Sequence, residues 1–191
     1  HYGAQQKENV HIAVQTTIAM TILMSVVLSI CGVLLTPALL RMMKTPEDVI
    51  AHSSEYLRIY FAGLSGLLLY NMGAGILRAV GDTRRPLYFL IFSAVTNTVL
   101  DLLFVTVFHM GVAGVAIATI LAQFASAVLV MVVLTRSTSD YRIVWRGMRL
   151  NRKMFGSICR LGFPAAVQLA VTSFSNIFVQ SYINRFGADC M

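Results

Sequence analysis

The sequence predicts an all-α integral membrane protein, a polytopic bundle of five spanning helices, and three observations predict it. Mean hydropathy is +0.74, with 57% hydrophobic and only 12% charged residues, where soluble chains carry roughly 25% charged residues. The apolar residues fall in blocks of about 20, the length that crosses a hydrocarbon core. The basic residues stand between those blocks instead of on a face interleaved with aromatics, so the net charge of +7 does not indicate nucleic-acid binding.

The first span covers about 11–36. Thr17, Thr21, Ser25 and Ser29 recur along it at four-residue spacing. Such hydroxyls bond readily to backbone carbonyls, which favours packing over ligand binding. The connection from Arg41 to Glu55 contains Thr45-Pro46-Glu47-Asp48, a helix start with Thr as N-cap and Pro just inside. The second span covers about 56–77. Arg58 near its outer end is expected to snorkel beside the aromatic belt of Tyr56, Tyr60 and Phe61. The tight segment Arg78-Ala79-Val80-Gly81-Asp82-Thr83-Arg84-Arg85-Pro86 then forces an antiparallel hairpin.

The third span, about 86–108, carries Asp101, the one carboxylate well inside any span. Charged groups there cost roughly 2.5–3.5 kcal/mol on insertion scales and are functional by default. Asp101 lies 15 residues beyond Pro86, on the order of 22 Å up the helix, in the outer half of the membrane. Asn97 and Ser93 lie one and two turns below, on the same face. A carboxylate stacked on an amide can hold Na⁺ or trade a proton. The alternative is a carboxylate that merely bonds a neighbouring helix.

A short connection around Met110-Gly111 leads to the fourth span, about 112–135. Gly111, Gly114, Ala118, Ala122 and Ser126 give it a small-residue surface for close packing. Thr119 and Gln123 are its polar groups, and the short connection puts Thr119 at a depth similar to that of Asp101. The basic segment Arg136–Arg160 follows, and Ile143, Val144, Met148 and Leu150 suit an interfacial helix within it. The fifth span, about 161–185, carries Gln168, Thr172, Asn176, Gln180 and Asn184 on one stripe. Amides and hydroxyls make poor lipid contacts, so the stripe is expected to line water or a polar seam.

Alternating loops place Lys7, Arg78, Arg84, Arg85, Arg136, Arg142, Arg146, Arg149, Arg152, Lys153 and Arg160 on one side. Only Arg41, Lys44, Arg58 and Arg185 fall on the other. The positive-inside rule therefore makes the basic segment cytoplasmic. No signal peptide is visible. The chain opens at His1 without Met and stops at Ala188-Asp189-Cys190-Met191, and the expectation is a longer parent truncated at both ends. Cys31, Cys159 and Cys190 show no CxxC spacing, the first two reading as packing residues, and the four histidines form no ligand cluster.

Several phrases together resemble the multidrug and toxic compound extrusion (MATE) family. Residues 77–86 are similar to its "LRAxGDTxxP" loop between the fourth and fifth helices, and Asn97-Thr98-Val99-Leu100-Asp101 to its "NxxLD" phrase. Residues 111–119 match "GxxGxAxAT" at the start of the sixth helix. Tyr2-Gly3-Ala4 resembles the end of the second helix, and Gly162-Phe163-Pro164 the opening of the seventh.

The resemblance implies a twelve-helix parent in two six-helix lobes related by a pseudo-two-fold along the membrane normal. Residues 1–135 would supply helices three to six of the first lobe, 136–160 the cytoplasmic inter-lobe linker, and 161–191 helix seven. It implies export of small cationic drugs or metabolites across the inner (plasma) membrane, with Na⁺ or H⁺ as coupling ion and no other cofactor. The implied cation ligands are Asn97, Asp101 and Thr119, with an Asp of the first helix outside this chain. Gln168, Thr172, Asn176 and Gln180 are the implied cavity lining. Another branch of the family uses a Glu in helix seven, and none stands between Arg160 and Met191. A lipid-linked oligosaccharide flippase is the nearest alternative, yet such flippases line the cavity with several basic residues, and the spans here lack buried Lys or Arg apart from Arg58. An intramembrane enzyme would need clustered acids or a His/Glu metal pair, which a single Asp101 does not supply.

Overall fold

The computed structural model describes residues 7–42, 47–145 and 150–185, all helix and connection. It divides into two compact units, His1–Leu150 and Asn151–Met191. The first contains α1 (Lys7–Met42), α2 (Glu47–Ala62), α3 (Leu64–Ala79), α4 (Arg84–Leu102) and α5 (Gly111–Arg136). The second contains α6 (Arg152–Arg185). Among the described residues four helices are long and apolar enough to cross a membrane, and a fifth span appears if α2 and α3 count together.

That second span is broken where the sequence suggests continuity. α2 and α3 meet at Gly63 with a bend of 46°. The Gly63 N–H is shared between Ile59 O (3.1 Å) and Tyr60 O (3.2 Å). A Cβ at Gly63 would collide with the Ile120 side chain of α5, and one at Gly66 would stand 3.0 Å from Phe124 Cδ2. Further along, a Cβ at Gly73 would run into Val130. Missing Cβ atoms thus let α3 approach α5 closely, as small residues do in membrane bundles. α5 is the hub, packing on α2, α3 and α4, while α1 packs along both halves of the broken span.

The hairpin between α3 and α4 has a definite construction. Gly81, at φ +90°, sends its N–H to Arg78 O (3.0 Å), while the Asp82 N–H reaches Leu77 O (2.9 Å). This is the double closure of a Schellman motif, and a positive φ there favours glycine. Asp82 Oδ1 then accepts the Arg85 N–H (3.2 Å), and Tyr70 Oη donates to Pro86 O (2.9 Å), tying the start of α4 to α3. Pro86 falls third in the helix, within the first turn where a backbone N–H has no intrahelical partner.

Hydroxyls of α1 serve packing. Thr21 Oγ1 donates to Thr17 O (2.8 Å) and Ser25 Oγ to Ile22 O (2.8 Å), both side chains being buried. Elsewhere the apolar distribution is that of a membrane protein: Leu87, Leu90, Ile91, Val95, Val99 and Leu102 lie exposed along α4. Cys31 and Cys159 are free and exposed in this chain. Tyr56 and Tyr60 stack at 6.2 Å beside an exposed Arg58.

The basic connection differs from expectation. Residues 142–145 are not helical, and the remaining expected positions up to 149 lie outside the described residues. Ile143 is not part of an interfacial helix. It turns back, donates its N–H to Leu134 O (3.1 Å), and plugs a core of Val10, Val14, Ile18, Leu77, Val130 and Leu134. Burying an isoleucine this fully contributes about 1.5–3 kcal/mol, more than an interfacial position would return. α6 starts at Arg152, nine residues before the expected span, because Asn151 caps it. Asn151 Oδ1 accepts the N–H groups of Lys153 (3.0 Å) and Met154 (3.2 Å), as an N-cap does. The Thr45-Pro46 helix start lies outside the described residues, although α2 begins directly after it, at Glu47.

Candidate functional site

α4 and α5 run antiparallel, joined through residues 108–110, and face each other along a ladder of polar contacts. On the lowest rung Ser126 Oγ sits 3.3 Å from Phe89 O and 3.1 Å from Ala122 O. One turn higher Ser93 Oγ donates to Ala122 O (3.1 Å). Next, Asn97 Nδ2 donates to Thr119 Oγ1 (3.4 Å). Gly114, Ala118, Ala122 and Ser126 are buried, so the small-residue surface of α5 allows this approach.

Asp101 occupies the following turn. Four residues beyond Asn97, it comes level with Val115, four residues before Thr119. Valine offers no side-chain donor, and the Val115 carbonyl already accepts from Thr119 Oγ1 (2.9 Å). Asp101 Oδ1 is buried and has no hydrogen-bond partner among the described residues. Leaving such a group unsatisfied costs about 1–3 kcal/mol, and more when charged.

The backbone changes character at this point. α4 gives way after Leu102 to a π-helical turn, Leu103–Val107, in which the Phe108 N–H reaches back to Leu103 O (3.2 Å). His109 and Gly111 then take positive φ, 52° and 56°, to reverse the chain into α5. π-turns are common at functional positions, and this one begins two residues after Asp101. The sequence carried no signal for it.

Chemically, the Asp101 oxygen can accept a proton, a hard cation, or a donor from another element. Thr119 gives its proton to Val115 O, so its lone pairs face Asn97 and remain suitable as cation ligands. Among the described residues no group of three or more His, Cys, Asp or Glu converges, so a transition-metal centre is not built from them. The donors present are hard oxygens, which fit Na⁺ better than a soft metal.

The second candidate set lies on α6. Gln168, Thr172, Asn176 and Gln180 fall four residues apart on that helix, and Thr172 Oγ1 donates to Gln168 O (3.0 Å). The Gln180 side chain lies outside the described ones.

Comparison with known proteins agrees with this architecture. The MatE family model matches residues 1–103, more than half of the 191 residues. The probable multidrug resistance protein YoeA of Bacillus subtilis (strain 168) is 34% identical over 195 residues, covering 98% of this chain and 42% of the relative. YpnP of the same organism, also a probable multidrug resistance protein, is 37% identical over 161 residues, covering 82% and 35%. Among solved structures, a MOP superfamily transporter from Pyrococcus furiosus superposes with TM-score 0.86 at 26% identity, covering 94% of this chain and 40% of that one. An outward-facing multidrug resistance MATE transporter of the same superfamily gives 0.84 at 26%, with the same coverage. The chain thus spans about two fifths of the proteins it resembles. Its helices, its loop phrases and these relatives lead to one assignment: the chain belongs to the MATE family of multi-pass membrane transporters, which are not enzymes.

Proposed function

We propose that the protein carrying this chain exports cationic drugs or metabolites across the plasma membrane, driven by exchange for Na⁺ or H⁺. In this reading Asp101 handles the coupling ion, with Asn97 and Thr119 as neighbouring ligands. The observation that carries it is the buried Asp101 Oδ1, without a hydrogen-bond partner among the described residues, one turn above the Asn97–Thr119 contact. Occupancy by a cation or proton relieves that oxygen, and loss of the ion restores the cost. An ion that binds one arrangement of the helices better than another shifts the population toward it. The π-turn beside Asp101 gives the helix a place to change register.

Multidrug relatives support export of small organic compounds. The cationic preference is a separate step, since the Pyrococcus furiosus transporter is described as having a binding pocket of reverse polarity that suggests a different function. The Gln168–Gln180 stripe would line the central cavity with neutral polar groups. Accumulation of a cationic dye in cells expressing the full-length protein tests the whole reading. Expression should lower accumulation only while a Na⁺ or proton gradient stands. Equal accumulation with and without the protein would reject it.

A further inference from the structure

Two clefts meet where α4 begins and α5 ends. One, of about 570 Å³, is polar and lined by Arg85, Arg136, Ser137, Thr138, Ser139 and Tyr141. The other, of about 480 Å³, is apolar and lies against α5 and α3 between Leu69, Phe124, Val128, Met131 and Trp145. Val132 and Arg136 border both, so the two adjoin at the Arg136 side chain.

The chemistry of the polar cleft is selective. Arg136 is exposed and forms no ion pair among the described residues. Arg85 meets Asp82 through Nε (3.3 Å), which leaves its terminal nitrogens to bond elsewhere. Two guanidinium groups and a run of hydroxyls are the donors that recognise phosphate oxygens. Among the described residues that line the cleft none is a carboxylate, and Asp82 stands beside it on Arg85 Nε. Position supplies the second half of the argument. Both arginines stand at helix ends, where spans leave the hydrocarbon. Trp145, the one tryptophan of the chain, donates from Nε1 to Thr135 Oγ1 (3.1 Å), which holds its indole at head-group level as interfacial tryptophans sit. The apolar groove begins there and leads along α5 into the membrane.

We propose that this junction binds an anionic phospholipid. Arg136 and Arg85, with the hydroxyls of Ser137 to Ser139, hold its phosphodiester, and one acyl chain lies in the groove between Trp145 and Phe124. The site is distinct from the Asp101 seam and does not depend on the coupling role given to it.

Native mass spectrometry of the full-length protein tests this, with phosphatidylglycerol and phosphatidylcholine of identical acyl chains as probes. Wild type should retain phosphatidylglycerol about fivefold more readily, the scale of one basic residue at an anionic surface. Arg136→Gln should remove most of that preference, and exposure of Arg136 predicts an unchanged melting temperature in lipid-free detergent. Val128→Trp, which fills the groove, should weaken retention of both lipids. Equal retention of the two lipids by wild type, or an undiminished preference in Arg136→Gln, would overturn the proposal. Inorganic phosphate should not displace the lipid. Displacement, with phosphate binding equally well to Val128→Trp, would make the cleft a free-phosphate site and overturn it too.

Discussion

Asn97 Nδ2 stands 3.4 Å from Thr119 Oγ1, and this contact sets the level at which α4 and α5 face each other. With that rung fixed, Ser93 falls against Ala122 O below it, and Asp101 falls against a turn of α5 with no donor to offer. The orphaned carboxyl oxygen is therefore a consequence of register. Shifting α4 by one residue would carry Asp101 off the seam face and toward lipid.

Thr119→Ala tests the contribution of the hydroxyl. One neutral ligand is worth about 1 kcal/mol, so apparent affinity for the coupling ion should fall about fivefold. Transport should persist at saturating ion. The measurement is export rate against Na⁺ concentration and pH in vesicles containing the full-length protein. An ion dependence identical to wild type would leave Thr119 as a packing residue of α5.

The α3–α5 approach predicts a contrast between two nearby glycines. A Cβ at Gly73 runs into Val130 and Met131, whereas one at Gly75 meets nothing within 4 Å. Gly73→Val should destabilise by about 1–3 kcal/mol through overpacking. Gly75→Ala should be neutral, or stabilise by up to about 1 kcal/mol through helix propensity. Thermal unfolding in detergent measures both, and equal melting temperatures for the two variants would contradict the close approach.

The hairpin between α3 and α4 makes a third prediction. Gly81 holds φ +90° within the Schellman closure, so Gly81→Val should cost about 1–2 kcal/mol. Tyr70→Phe removes the hydrogen bond to Pro86 O and should cost about 1 kcal/mol. The double variant should lose less than the sum if both act by positioning the same turn. Melting temperatures of the single and double variants decide this.

Spans were legible in the sequence because bilayer thickness imposes a length on apolar runs, and the runs here have it. Asp101 and Asn97 were legible for a related reason: a carboxyl inside such a run is rare, and four-residue spacing puts an amide on its face. The break at Gly63 was not, since residues on both sides of it are apolar. The side chain that a Cβ at Gly63 would meet is that of Ile120, 57 residues away. Asn151 as the cap of α6 was within reach, but Arg152, Lys153 and Arg160 lower the local hydropathy and moved the expected start to 161. Ile143 misled because an apolar residue in a basic segment suits an interfacial helix as well as a plug. Only the return of the chain onto Leu134 separates the two.

The most direct measurement is ion-driven efflux of a cationic dye by the full-length protein carrying Asp101→Asn. The amide keeps nearly the same volume while removing the charge and the titratable oxygen, so the protein should remain in the membrane at wild-type abundance. An imposed Na⁺ or pH gradient should then drive no dye efflux above that of protein-free vesicles. Gradient-driven efflux at the wild-type rate in Asp101→Asn would contradict the account and leave Asp101 as a structural residue of the α4–α5 seam.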